Sequence, residues 1–333
     1  MSTEYRVVAL EEHVVTPEVV AAWQKLEPQW RDLALAPSTQ GESGRRLAEM
    51  GDERIAAMDA AGIDTQVLSL TAPGLQNLEP ADAIPLQREV NDLLADTVRT
   101  RPDRFQAFAT LATPAPEAAA AELERAVTRL GLAGAMVFGR TRERHLDEPE
   151  FRPLLEAAAA LRAPLYLHPQ SPPTTVRQAY YGGLGERLDA ALATHGIGWH
   201  YDCGVELLRL ILAGVFDRFP DLQVIVGHWG ELMMFFLDRI DTNLTEIAGL
   251  DRPISDYLRT NVFVTPSGIL SEKYLRWTVE TIGAERILFA ADYPFVPLST
   301  GARAFLDTAA LDPAQRAAIG STNWERIHTR IRR

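Results

Sequence analysis

Arg6-Val7-Val8-Ala9-Leu10 runs directly into Glu11-Glu12-His13, and the same pattern returns along the chain. Pro164-Leu165-Tyr166-Leu167 ends at His168, and Gln223-Val224-Ile225-Val226-Gly227 ends at His228. Arg286-Ile287-Leu288-Phe289-Ala290-Ala291 ends at Asp292, and Thr65-Gln66-Val67-Leu68-Ser69-Leu70 ends at the polar Thr71. Short β-branched runs of this length read as strands buried on both faces, as in parallel sheets. Strand candidates cover 6–10, 65–70, 106–110, 133–138, 164–167, 223–227, 261–265 and 286–291, the number a closed (β/α)8 TIM barrel requires. All strands of such a barrel run one way, so residues just past their C-terminal ends converge on one face. Two histidines and two carboxylates meeting there would make a mononuclear metal site.

Helical periodicity fills most of the gaps, at 85–99, 116–130, 206–216 and 231–247. The second of these opens on Pro116-Glu117 and stops before Gly131, start and stop signals in the expected order. Two spacings, 14–62 and 169–200, are too long for a plain strand–helix unit. The second carries Ser171-Pro172-Pro173 and Gly182-Gly183-Leu184-Gly185, a loop composition. We read both as loop insertions forming a lid over the C-terminal face, where barrel enzymes place their specificity. One domain, residues 1–333, accounts for the whole length.

Composition narrows the function. Hydrophobic residues make up 47% and charged residues 23%, an ordinary soluble globular balance. A net charge of −12 without a basic patch argues against nucleic acid as a partner. The arginines of Thr329-Arg330-Ile331-Arg332-Arg333 read as a cationic helix end. The single Cys203 excludes an intrachain disulfide and a thiolate metal cage, and reads as a buried, inert thiol. Strand-like sequence begins by Arg6, leaving no room for a signal peptide, and no apolar run is long enough to span a bilayer. A cytoplasmic protein with no membrane partner is expected.

Glu11 and His13 are two apart on an extended segment, so both point the same way, unless the triplet is a surface turn. His168 lies between an apolar run and Pro169, as a ligand or as a hydrogen-bonded core histidine. Asp292 precedes Tyr293-Pro294-Phe295, as a ligand or a helix cap. His228 sits in Gly227-His228-Trp229-Gly230-Glu231 at a strand-to-helix turn, and histidine suits proton transfer near neutral pH. Glu231 is placed to orient that ring or to cap the helix. His145, His195, His200 and His328 follow no buried-strand pattern and read as solvent or loop residues. There is no glycine-rich dinucleotide fingerprint and no strand-end lysine for a Schiff base, so no organic cofactor is expected.

The segments Val8-Ala9-Leu10-Glu11-Glu12-His13, Leu68-Ser69-Leu70-Thr71-Ala72-Pro73-Gly74, Arg101-Pro102-Asp103-Arg104-Phe105, Tyr166-Leu167-His168-Pro169, Gly227-His228-Trp229-Gly230-Glu231 and Ile287-Leu288-Phe289-Ala290-Ala291-Asp292-Tyr293-Pro294-Phe295 carry a further signal. Together they resemble the decarboxylase branch of the amidohydrolase superfamily. That branch includes γ-resorcylate, 2,3-dihydroxybenzoate and aminocarboxymuconate-semialdehyde decarboxylases. The similarity runs from about residue 6 to Asn323, and the Glu-x-His first motif resembles the hydroxybenzoate enzymes. It implies that Glu11, His13, His168 and Asp292 hold one divalent ion, zinc or manganese. His228 is then the acid/base residue, with Glu231 behind it, and Asp292 also delivers a proton.

The same resemblance implies that Arg239, in Asp238-Arg239-Ile240-Asp241, reaches a neighbouring subunit's site in a homodimer or homotetramer; otherwise it makes a helix-surface salt bridge. Trp199 falls near an aromatic that stacks on the substrate ring, or it is a lid residue packed on the barrel. Thr71 and Phe138, at the ends of two strands, complete the expected substrate contacts. Met136-Val137-Phe138-Gly139 departs from relatives that carry Asn before the Gly, and 24–48 does not align clearly with them. The activity implied is nonoxidative decarboxylation of an ortho-hydroxybenzoate-like acid, a small aromatic or cyclic carboxylate. The alternatives are a metal-dependent hydrolase on the same scaffold and a catalytically silent barrel that serves as a binding partner.

Overall fold

In the computed structural model, which describes residues 5–298 and 301–333, β1 (Val8–Val14) pairs in parallel with β2 (Thr65–Leu70), and β2 with β3 (Phe105–Ala107). A second parallel run follows in the order β4 (Ala135–Phe138), β5 (Leu165–His168), β6 (Val224–Val226) and β7 (Val262–Val264). Bridges at Ala109–Ala135, Val264–Ile287 and Ala9–Phe289 join the two runs and close the barrel. The eighth stave is the 286–291 run, held by Leu288 N–H to Val264 at 2.9 Å and Leu10 N–H to Phe289 at 3.0 Å.

The third stave is shorter than the 106–110 expected. Phe108 and Ala109 still bond the neighbouring staves, and beyond Ala109 its backbone turns to side chains of the helix Pro80–Thr100. The Asn91 Oδ1 accepts from Thr110 N and the Gln87 Oε1 from Ala112 N, both at 2.8 Å. Amide side chains there satisfy backbone groups that a longer ladder would have paired.

The helix expected at 231–247 begins only at Leu237, after a 3-10 turn Met233–Phe236. From His228 to Leu232 every φ is positive (48°, 59°, 84°, 52° and 68°). Such backbone is sparsely populated outside glycine, and it holds this turn tight against the barrel end. Gly227 is packed so closely that an added Cβ would lie 2.5 Å from Ser267 Oγ and 3.0 Å from a Glu11 oxygen. The helix expected at 206–216 starts earlier and is broken in two, Gly198–Leu212 and Val215–Arg218, around the left-handed Gly214.

The two insertions are less loop-like than their composition. The first contains helices Pro17–Gln24, Leu35–Thr39, Gly41–Leu47 and Asp52–Ala61. The second contains Glu186–Ala191 and several single turns. They are stitched together by buried Asp32, which accepts from Ser171 N at 2.9 Å and Ser171 Oγ at 2.6 Å. No helix among the described residues is long and apolar enough to cross a membrane.

Arg54 fastens the first insertion to the barrel. Its fully buried guanidinium donates to the backbone oxygens of His13 at 2.7 Å, Glu49 at 2.9 Å and Arg46 at 3.3 Å. It also lies 4.7 Å from the centre of the Tyr293 ring. Burial lowers its pKa to about 10, which leaves it charged at neutral pH. Arg54→Met keeps bulk but strands those carbonyls, so a loss of about 2–4 kcal/mol is expected in urea unfolding. An unchanged midpoint and slope would show that the guanidinium is dispensable.

Candidate active site

β1 shifts register against β2 between Ala9 and Glu12, and this irregularity sets which side chains enter the barrel. Glu11 Oε1 lies 3.2 Å from His168 Nε2 and 3.9 Å from His13 Nε2. His13 Nε2 is in turn 3.4 Å from Asp292 Oδ1, and Asp292 is held at a φ of 59°. All four expected ligands therefore meet at the C-terminal end of the barrel.

Glu11 and His168 are already engaged through their other side-chain atoms. Glu11 Oε2 accepts hydrogen bonds from the Tyr166 and Ser267 hydroxyls. The Tyr166 oxygen also sits 2.8 Å from Thr265 Oγ1, so a buried hydroxyl network props the carboxylate from below. His168 Nδ1 is 2.7 Å from the Pro169 oxygen, which makes it the protonated nitrogen and turns the Nε2 lone pair inward. Glu11 Oε1 and His13 Nε2 are buried with no hydrogen-bond partner among the described residues. Unpaired buried acceptors are costly, and an oxygen and imidazole nitrogens aimed at one point fit a divalent cation. The donor set of two nitrogens and two carboxylate oxygens suits zinc or manganese.

Glu12, given no role from sequence, points the opposite way. It accepts from Gln66 Nε2 at 2.7 Å and Ala291 N at 2.9 Å, tying β1 to the eighth stave just before Asp292. Burial raises its pKa to about 8. For Asp292, burial and the facing Glu11 carboxylate push the carboxyl well above its usual range.

His228 stands beside the cluster, its ring centre 6.5 Å from that of His168. Its Nδ1 is 2.7 Å from Glu231 Oε1, so Glu231 orients the ring and caps no helix. Burial alone would lower the His228 pKa, but the Glu231 and Glu11 carboxylates raise it to about 10. His200 was expected in solvent, and this is corrected. Its Nδ1 lies 2.9 Å from Glu231 Oε2, and its ring centre is 4.4 Å from that of His228. His145 is also paired rather than solvated, with Nδ1 2.7 Å from Glu206 Oε1, while His195 is exposed. By composition His200, His228 and Glu231 would suit a second ion. Each carboxylate oxygen already serves a different ring at hydrogen-bond distance, so the trio is a hydrogen-bonded array.

The expected substrate contacts divide. Phe138 meets His168 edge-on with ring centres 5.4 Å apart, and Phe295 meets His13 at 5.7 Å, so two aromatic rings wall the ligands. The sequence assigned Phe295 no role. Thr71 is buried with its hydroxyl unpaired. Trp199 Nε1 donates to Ser171 Oγ at 3.2 Å, which ties it to the stitched insertions. Arg239 lies apart from the metal ligands, in a groove of about 370 Å³ with Tyr201, Leu232 and Phe236.

A parallel eight-stave barrel with two histidines and two carboxylates converging at its C-terminal face is the arrangement of an amidohydrolase-type enzyme. The Amidohydrolase family pattern matches residues 13–327, and the chain belongs to that family. It is 35% identical over 337 aligned positions to γ-resorcylate decarboxylase of Rhizobium sp. (strain MTP-10005), covering 96% of this chain and 97% of that one. The structure of 5-carboxyvanillate decarboxylase LigW from Sphingomonas paucimobilis superimposes with a TM-score of 0.89 at 33% identity, covering 98% of this chain and 99% of that one. Dihydroxybenzoic acid decarboxylase from Polaromonas sp. JS666, solved with manganese and the inhibitor 2-nitroresorcinol, gives 0.87 at 33% identity, covering 98% and 97%.

Proposed function

We propose that this protein is a metal-dependent nonoxidative decarboxylase of an ortho-hydroxybenzoate-like acid, releasing carbon dioxide. The observation that carries the reading is the pair of buried orphans, Glu11 Oε1 and His13 Nε2, facing His168 and Asp292 beside His228. The decarboxylase names of the relatives support it, and manganese in the Polaromonas enzyme makes that ion the first to test. A divalent ion held by Glu11, His13, His168 and Asp292 would anchor the substrate carboxylate with its ortho oxygen and stabilise negative charge.

The residues do the rest. Asp292 supplies a proton to the carboxyl-bearing ring carbon, which breaks aromaticity. The bond to the carboxylate then cleaves, its electron pair returns to the ring, and carbon dioxide leaves. His228, steadied by Glu231, presents Nε2 to the phenolic oxygen and shares the proton there. Phe138 and Phe295 flank a flat ring, and Trp199 with the joined insertions is proposed to cover it as a lid. The reading needs no organic cofactor.

A homodimer or homotetramer is part of the proposal. Exposed Tyr201 and Phe236 line the groove that holds Arg239, whose guanidinium would reach the neighbour's site. The buried thiol of Cys203 accords with a cytoplasmic setting.

The test is a screen of hydroxybenzoates with manganese-loaded enzyme, following carbon dioxide and the phenol. Turnover of 2-hydroxybenzoates and none of 4-hydroxybenzoate is expected. Solvent ¹⁸O in the product without carbon dioxide would mean a hydrolase. His228→Asn should keep its metal and its fold while losing about 10²-fold or more in kcat. Wild-type turnover in that variant would reduce His228 to a packing residue.

A further inference from the structure

The buried Glu231 carboxylate has two partners, and only one of them belongs to the motif that carries it. Glu231 Oε1 takes His228 Nδ1 at 2.7 Å, and Glu231 Oε2 takes His200 Nδ1 at 2.9 Å. His200 arrives from the helix Gly198–Leu212, which closes the long insertion after β5. Its other nitrogen, Nε2, is 3.3 Å from the backbone oxygen of His195. The partner of Nδ1 is a carboxylate oxygen, so His200 meets Glu231 as a donor.

The backbone gives this second partner its importance. Glu231 has a φ of 52° inside the left-handed run from His228 to Leu232, so its carboxylate hangs from a short strained turn and not from a helix face. A carboxylate bonded through one oxygen alone can rotate about its terminal torsion, which is broad and soft. His200 pins the second oxygen, and through it the plane of the His228 ring. With Nδ1 committed to Glu231, His228 keeps Nε2 for the reacting oxygen.

We propose that His200 is a positioning residue for the acid/base His228, acting through Glu231 as a His200–Glu231–His228 array. Its kinetic consequence rests on the decarboxylase reading; the array itself does not. Outer partners of this kind cost roughly 10- to 100-fold in activity when removed.

The experiment compares His200→Leu with His200→Asn in full-length, manganese-loaded protein. An asparagine amide nitrogen falls where the histidine Nδ1 lies, so it restores the donor without the ring. His200→Leu should lose kcat by roughly 10- to 100-fold with KM within about twofold and manganese content unchanged, and His200→Asn should recover most of the loss. Proton spectra of ¹⁵N-histidine-labelled protein loaded with diamagnetic zinc should show a hydrogen-bonded His228 Nδ1–H that shifts in His200→Leu and returns in His200→Asn. Wild-type kcat in His200→Leu, equal losses in both variants, or an unmoved His228 resonance would overturn the proposal. If wild-type enzyme turns over no hydroxybenzoate, the decarboxylase reading fails, and the resonance still decides the array.

Discussion

Replacing His168 by alanine is expected to strip the metal ion from the protein and abolish measurable decarboxylation. His168 Nε2 lies 3.2 Å from the orphaned Glu11 Oε1, and its Nδ1 is spent on the Pro169 oxygen, so the ring has no other evident duty. The ligand count falls from four to three, and a void opens between Glu11 and Phe138. Metal analysis after dialysis should drop from about one ion per chain to background. Thermal unfolding gives an independent readout. Manganese should raise the Tm of wild type, because an ion that binds only the folded state stabilises it, and should leave the variant's Tm unchanged. Tyr166 and Ser267 still hold Glu11, so the apo variant should remain folded. Full metal occupancy in His168→Ala would remove His168 from the ligand set.

The convergence of the four candidate ligands was legible because they end strands. Apolar runs locate strands whatever the surrounding context, and a parallel barrel sends every strand end to one face, so Glu11, His13, His168 and Asp292 meet in the structure as they do in the pattern. His200 was not legible. It sits at the end of an irregular insertion, 31 residues before its partner Glu231, and periodicity says nothing about which side chains such a segment delivers. The turn at 228–232 failed for a related reason. Its sequence is compatible with a helix beginning at Glu231, but close packing of Gly227 on Ser267 and Glu11 imposes a left-handed backbone there. Tertiary demands override local preference most often at functional sites, and here they do so at the proposed acid/base pair. The shortened third stave is the structural counterpart, since Asn91 and Gln87 substitute for a ladder that hydrophobic pattern alone would extend.

Asp292→Asn should separate metal binding from proton delivery. Asparagine keeps an oxygen where Asp292 Oδ1 faces His13 Nε2 at 3.4 Å, so much of the metal should remain. It cannot give up a proton as a carboxylic acid does. Accessibility points to the same residue. The side chains of Glu11 and His13 are fully buried and that of His168 is 6% exposed, whereas Asp292 is 16% exposed. Of the four ligands, Asp292 presents the most surface to a ring entering from the open face. We expect kcat to fall by about 10⁴-fold, the upper end for loss of a general acid, with substrate still bound. The reverse proton step offers a check that is free of product release. Wild-type enzyme in heavy water should exchange the ring hydrogen of the phenol product at the carbon that had carried the carboxylate. The Asp292→Asn enzyme should not, whereas His228→Asn should exchange slowly. Brisk exchange in Asp292→Asn with manganese in place would assign the proton to another group, and His228, on the adjoining side of the site, would then have to carry both steps.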